Sequence, residues 1–235
     1  MQKLIVIPAR GGSKGIPLKN IYPVAGEPLL SYTLEVIREA ELQDTDIVVS
    51  TDSEKIKEVA QGYNDIHIAD RPEEISGDTA STELALVHAL DFMERLKVKK
   101  YDAVITLQAT SPLREAQTLK NFVLSYEKDY PEYNAQLSLN ENRSDFWIKK
   151  ENHIFERLYK NAPRRRQDRK PLYVENSAYY ITDANILRKT NSILGTKAKG
   201  FIISEYEAID INEKIDIYLA ENIIRNRCLI KEHGE

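Results

Sequence analysis

The sequence predicts an α/β fold, a doubly wound and mostly parallel sheet with a small inserted arm. Short apolar runs rich in Val and Ile alternate with segments whose apolar residues recur at helical spacing. The runs are continuous rather than alternating, which is the pattern of strands covered by helices on both faces. The alternation breaks once, between residues 140 and 172, where a polar, basic and aromatic stretch has no clean period.

In order, "LIVI" (4–7) is the first strand, followed by a helix carrying Leu30, Leu34 and Ile37. "DIVVS" (46–50) is the second, followed by the charged helix "SEKIKEVAQGY". "DIHIA" (65–69) precedes a helix with Leu86, Val87, Leu90 and Met93, and "AVITL" (103–107) one with Leu119, Phe122, Val123 and Tyr126. "AQLSL" (135–139) opens the irregular part, and "SAYYIT" (177–182) and "GFIIS" (200–204) restore the strands. A last helix starts near Glu213 with Ile215, Leu219, Ile223 and Ile224. With no repeat and no Pro/Gly/Ser linker, residues 1–235 are expected to form one domain, with 140–172 as an arm.

Of the 235 residues, 42% are hydrophobic and 30% charged, which suits a globular chain able to bury a core. The net charge of −4 argues against broad nucleic-acid binding through a basic surface. The one cysteine, Cys228, cannot pair within the chain and no Cys/His cluster suggests zinc. The apolar run at the start is too short for a signal peptide or membrane span. A cytoplasmic protein with neither nucleic-acid nor membrane partner is expected.

Ligands of open α/β sheets bind beyond the carboxyl ends of the strands. After the first strand comes "PARGGSKGIPLKN" (8–20), in which Gly11 lets backbone N–H groups approach an anion while Arg10, Lys14 and Lys19 supply charge. It matches neither GxxxxGK[ST] nor GxGxxG, so an extended cradle for several phosphates is expected rather than a helix-capped one. "RPEEISGDTAST" (71–82) also reads as a helix start, with Asp78 or Thr79 as the N-cap. Arg114 in "QATSPLR" can bind ligand or brace its loop. In "AIDINEKID" (208–216), Asp210 and Asn212, two apart at a strand end, would project the same way and suit Mg²⁺. Asn212 also reads as an N-cap, and Asp216 falls in the first helical turn.

At this point the loop "IPARGGSKGIPLKN" resembles the N-terminal signature of the acylneuraminate cytidylyltransferases, the CMP-sialic or CMP-nonulosonic acid synthetases. Arg10, Ser13, Lys14, Gly15, Pro17, Lys19 and Asn20 fall on its R-x-x-S-K-G-x-P-x-K-N pattern. "RPEEISGDTAST", "LQATSPLR" (107–114), "RRRQDRKPLYVENSAYYI" (164–181) and "AIDINEKID" are similar to further blocks of that family, so the likeness runs along nearly the whole chain. It departs at Ser177, where the family has Gly, and at Asn212, where it has Asp.

The resemblance implies a Rossmann-like nucleotidyltransferase fold and transfer of CMP from CTP to the anomeric hydroxyl of a nine-carbon acidic sugar. Arg10, Lys14 and Lys19 would meet the phosphates, with Gly11, Ser13 and Asn20 completing the cradle. Arg71, Ala80 and Thr82 would contact the nucleotide. Gln108, Arg166 and Asn176 would face the sugar, Arg166 meeting its carboxylate. Asp210, with Asn212, would hold Mg²⁺. The resemblance also implies a homodimer in which the arm reaches the partner's site. Competing readings are a Kdo or other sugar nucleotidyltransferase of the same fold, a nucleotide binder without turnover, and a nucleic-acid binder using 164–170.

Overall fold

The structure is a computed structural model that describes residues 1–13 and 15–226. Lys14, one of the expected phosphate cations, and Cys228 lie outside the described residues.

Strand β1 (Lys3–Pro8) leads into an open loop and a two-stranded ribbon, β2 (Pro23–Val24) with β3 (Glu27–Pro28), before helix α1 (Leu29–Ala40). There follow β4 (Thr45–Thr51), α2 (Glu54–Gln61), β5 (Ile66–Asp70), α3 (Thr82–Lys97), β6 (Ala103–Thr106) and α4 (Ala116–Asp129). After β7 (Ala135–Asn142) the chain makes a hairpin, β8 (Trp147–Lys149) with β9 (Phe155–Arg157). It returns through β10 (Leu172–Asp183), α5 (Ala184–Thr190), β11 (Ala198–Ile202) and α6 (Lys214–Arg225).

Seven strands form one sheet in the order β11-β7-β10-β6-β1-β4-β5. All neighbours are parallel except where β10 runs against both β6 and β7. All seven strands of the sheet stand where the apolar runs predict them. The alternation of side chains explains why those runs are continuous. Ile5 and Ile7 of β1 pack with Leu30, Leu34 and Ile37 of α1 and Phe122 of α4, whereas Leu4 and Val6 pack with Leu86, Leu90 and Met93 of α3. Leu4, Ile5, Val6 and Ile7 are all 0% exposed, so both faces of β1 are core. At about 1.5–3 kcal/mol for each such side chain, this strand anchors the sheet.

Chain order places the site. From β1 the chain moves outward to β4 and β5, then crosses back to β6 on the other side of β1. The loops after β1 and β6 therefore part at the carboxyl edge and leave a crevice. A third cluster closes one end of it: Ile16 of the first loop packs with Val24, Leu29, Ile211 and Ile217. That contact ties the first loop to the segment before α6.

The sequence did not reveal the β2–β3 ribbon or α5, both too short to show a period. The excursion from the sheet spans 143–171, slightly less than expected, because β7 and β10 extend into it. It is braced by Asp145, which accepts from Arg157 Nε at 3.0 Å and Nη2 at 2.7 Å. Its hairpin leaves Trp147 and Phe155 about half exposed, at 49% and 56%.

Candidate active site

A cleft of about 440 Å³ opens at the carboxyl edge of the sheet, at the crevice. Its walls come from four separate stretches of sequence. The first loop supplies Arg10, Ser13, Lys19 and Asn20; the segment after β5 supplies Arg71, Ala80 and Thr82; the loop after β6 supplies Gln108; and the segment before α6 supplies Asp210 and Asn212. A larger hollow of about 970 Å³ lies at the opposite edge, against the starts of β4 and β5, and holds none of the residues singled out for chemistry in the sequence. Position at the switch point, not size, selects the smaller cleft.

The first loop is held open by its own backbone. Gly11 N–H donates to Asp52 Oδ1 at 2.7 Å, and a Cβ on Gly11 would lie 2.9 Å from that of Ser53. Asn20 Nδ2 donates to the Arg10 carbonyl at 2.9 Å. Leu18, just after Pro17, takes φ +50°, and this turn carries Lys19 back toward the cleft. Among the described residues no α-helix follows β1 before α1, as the failed P-loop match implied; the loop holds only a 3₁₀ turn at Lys19–Ile21. Arg10 donates to the Gly77 carbonyl at 2.9 Å and pairs with Asp78 at 3.2 Å. Both partners are partly exposed, so the pair contributes only about 0–1 kcal/mol and yields readily to an anion.

Three expectations need correction. Ser81, with extended dihedrals, precedes the first turn of α3, whereas Asp78 faces Arg10 and Thr79 lies short of the helix. The long polar run 76–81 offered several caps, and the Arg10 contact takes Asp78 out of the choice. The segment 203–213 is irregular, so Asp210 and Asn212 do not lie side by side on a strand. They meet instead through a bond, Asn212 Nδ2 to Asp210 Oδ2 at 2.8 Å. The N-cap of α6 is Glu213, in a capping box with Asp216, rather than Asn212.

Lys19 Nζ donates to the Ile211 carbonyl at 2.8 Å and to Asn212 Oδ1 at 3.3 Å. Asn212 thus bridges Lys19 and Asp210, its oxygen on the cation and its nitrogen on the carboxylate. Asp210 Oδ1 is buried and has no hydrogen-bond partner among the described residues. Arg71 is buried and donates to Ser50 through Nε (3.2 Å) and Nη2 (2.8 Å). Burial lowers its pKa, with Asp52 opposing the shift and Arg10 adding to it. The amino end of α3 also opens on the cleft, and N–H groups there lack helical partners and suit an acceptor.

Asn176 and Arg166 are not among the residues that line this cleft. Asn176 Oδ1 accepts from Ser138 Oγ at 2.6 Å and from Ala178 N–H at 3.2 Å, which pins an irregularity in β10. Ser177, where the family has Gly, takes φ +61° there. The left-handed backbone that favours glycine is therefore kept by a serine. Arg166 is exposed in a 3₁₀ turn and pairs with Glu205 at 3.4 Å.

Arg114 braces its loop. It is 1% exposed and donates to Ala178 O at 2.7 Å, Thr33 Oγ1 at 3.0 Å, Ser111 O at 2.9 Å and the Gln108 carbonyl. Burial pushes its pKa down to about 10, with Tyr179, Asp210 and Glu207 opposing. Sequence reasoning passed over Glu207 altogether. It is one of three acids within six residues of an irregular loop, and only packing over long sequence distances marks it out.

The chain matches the family model described as "Cytidylyltransferase" over residues 4–228. It belongs to the cytidylyltransferase family. It is 30% identical over 233 residues to a pseudaminic acid cytidylyltransferase of Campylobacter jejuni, covering 94% of this chain and 95% of the relative. It is 29% identical over 227 residues to a CMP-N,N'-diacetyllegionaminic acid synthase of Legionella pneumophila, covering 95% and 97%. An N-acylneuraminate cytidylyltransferase of Escherichia coli is 27% identical over 223 residues, and the match covers 94% of this chain and 51% of that relative. Among solved structures, a CMP:2-keto-3-deoxy-manno-octonic acid synthetase complexed with CTP superposes with a TM-score of 0.67 over 97% of this cytidylyltransferase and 100% of that chain, at 16% identity. That last likeness speaks for the fold alone.

The brace can be tested by itself. Arg114→Met should lower the free energy of urea unfolding by about 3–5 kcal/mol, because several buried acceptors lose their donor at about 1–3 kcal/mol each. A loss below about 1 kcal/mol would contradict the bracing role.

Proposed function

We propose that this cytidylyltransferase moves CMP from CTP to the anomeric hydroxyl of a nine-carbon acidic sugar. The hydroxyl oxygen bonds to the α-phosphorus, the α–β phosphoanhydride bond breaks, pyrophosphate leaves, and the hydroxyl proton passes to solvent. The observation that carries the reading is the meeting of Arg10, Lys19, Arg71 and Asp210 at the switch-point cleft. Such a cluster of cations with one carboxylate suits a triphosphate with a divalent ion. The full-length relatives are named for acidic sugars.

Arg10 and Lys19 bind and orient the phosphates, and Lys14, by its place in the signature, joins them. Gly11, Ser13 and Asn20 shape the backbone of the cradle. Arg71, with Ala80 and Thr82 at the start of α3, receives the nucleoside. Gln108 faces the sugar across the cleft. Charge stabilisation and positioning supply most of the acceleration in reactions of this kind. The orphaned Asp210 Oδ1 fits Mg²⁺, which is commonly held by one or two carboxylates with phosphate oxygens and water. Mg²⁺, when bound, neutralises phosphate charge. Asn212 brings no charge to that position, and its oxygen already serves Lys19. Transfer to Kdo, the second reading, has only a shared fold behind it.

The exposed apolar hairpin, β8 with β9, suits burial against a second copy, and Arg166 would then reach the partner's sugar site. Among the described residues no helix is long and apolar enough to cross a membrane. The cytoplasmic setting belongs to the same proposal.

The decisive assay is pyrophosphate release with each nucleoside triphosphate and a panel of acidic sugars. CTP with a nine-carbon acid should turn over, and Lys19→Ala should lower kcat/KM by about 10²–10³-fold with an unchanged circular dichroism spectrum. Normal kinetics in that variant would remove the phosphate cradle. Light scattering tests the arm. The wild type should show twice the chain mass, and the Trp147→Asp, Phe155→Asp double variant the single mass. A monomeric, fully active wild type would refute the dimer.

A further inference from the structure

Beside the cleft lies a buried carboxylate that the transfer chemistry does not use. Glu207 is 4% exposed and stands three residues before Asp210. Its Oε1 accepts from the Glu115 backbone N–H and from the Tyr179 hydroxyl, each at 3.1 Å. Its Oε2 accepts from Thr118 Oγ1 at 3.2 Å and from Ser204 Oγ at 3.0 Å. The Ser204 bond closes within its own loop. The Glu115 and Thr118 bonds clamp that loop to the amino end of α4, where the helix dipole favours negative charge. The Tyr179 bond clamps it to β10.

The connection continues from Tyr179. The Arg114 guanidinium lies over the Tyr179 ring at 5.6 Å, and the same guanidinium holds the Gln108 and Ser111 carbonyls. One unbroken buried path therefore runs from the loop of Asp210 through Glu207, Tyr179 and Arg114 to the loop of Gln108. Both loops line the cleft, and Ile211 N–H, next to Asp210, also donates directly to the Thr110 carbonyl at 2.8 Å, so the path through Glu207 backs up a backbone contact between them. A buried network with its members paired holds its parts in one arrangement.

We propose that Glu207 is a positioning residue: it sets the height of the loop after β11 and so fixes where the Asp210 carboxylate stands relative to Gln108. The proposal rests on the cytidylyltransferase reading of the cleft, in which Asp210 faces the cation. A mere core brace would lose stability on truncation without altering the demand for cation. Glutamine can keep the arrangement, because the hydroxyls of Thr118 and Ser204 accept as well as donate. Alanine cannot.

The experiment compares wild type, Glu207→Gln, Glu207→Ala and Tyr179→Phe. For each, three quantities are measured: the thermal midpoint, Mn²⁺ binding at saturating CTP by electron paramagnetic resonance of the free ion, and the Mg²⁺ dependence of pyrophosphate release. Glu207→Ala should weaken Mn²⁺ binding about tenfold and raise the half-saturating Mg²⁺ in step, as loss of a supporting partner of a metal ligand commonly does. Tyr179→Phe should move both about threefold in the same direction, and Glu207→Gln should stay within about threefold of wild type. A folded Glu207→Ala chain with wild-type Mn²⁺ binding and Mg²⁺ demand overturns the proposal. If that chain does not fold, the same result in Tyr179→Phe overturns it. A wild type that binds Mn²⁺ with CTP yet turns over no acidic sugar overturns the transfer reading alone, and one that binds no Mn²⁺ beside CTP overturns both.

Discussion

The structure at the carboxyl edge depends on one buried cation. Arg114 is buried, and it is accommodated there because carbonyls and a hydroxyl from distant parts of the chain accept its hydrogen bonds. Those acceptors sit on α1, on the loop after β6 and at the irregularity of β10. A buried guanidinium is strongly unfavourable unless its donors are used. The fold satisfies it by bringing the three segments together, and that convergence fixes the loop after β6, whose Gln108 and Thr110 line the cleft. The Glu207 carboxylate extends the same logic to the segment carrying Asp210.

The cations of the first loop are held by weaker contacts. Arg10 pairs with Asp78 at an exposed contact, and Lys19 rests on the Ile211 carbonyl and Asn212. Both cations are therefore held by partners that the triphosphate of the proposed reaction, with more charge, would replace at little expense. Asn212 shapes this resting state. An aspartate there would give Lys19 a full salt bridge and put a second negative charge beside Asp210. The amide bridges the two instead, and among the described residues before α6 Asp210 is the carboxylate that lines the cleft.

Much of this was legible in the sequence. The central strands β1 and β6 could be read because they are buried on both faces, which writes a continuous apolar run; the edge strands β5 and β11 keep exposed positions and were legible from their β-branched and aromatic residues. Ten of the residues singled out for chemistry line one cleft, because strand ends gather loops whatever their distance in sequence. The misreadings share a cause. Asp78 looked like a helix cap until Arg10, 68 residues away in sequence, claimed it. Arg114 could have served ligand or loop, and only its surroundings decide. Asn176 is engaged inside β10, and Glu207 carries no local pattern at all. Local periodicity cannot report a hydrogen bond that joins residues 92 apart, as Glu207 does to Glu115.

The central claim is that residues 10–20 form an extended triphosphate cradle facing Asp210. A crystal structure of the chain with CTP tests it most directly. The account predicts the phosphates along the Arg10 to Asn20 backbone, with Lys19 Nζ moved from the Ile211 carbonyl onto a phosphate oxygen. A triphosphate bound elsewhere, or a Lys19 still on Ile211 with CTP in the cleft, would contradict it.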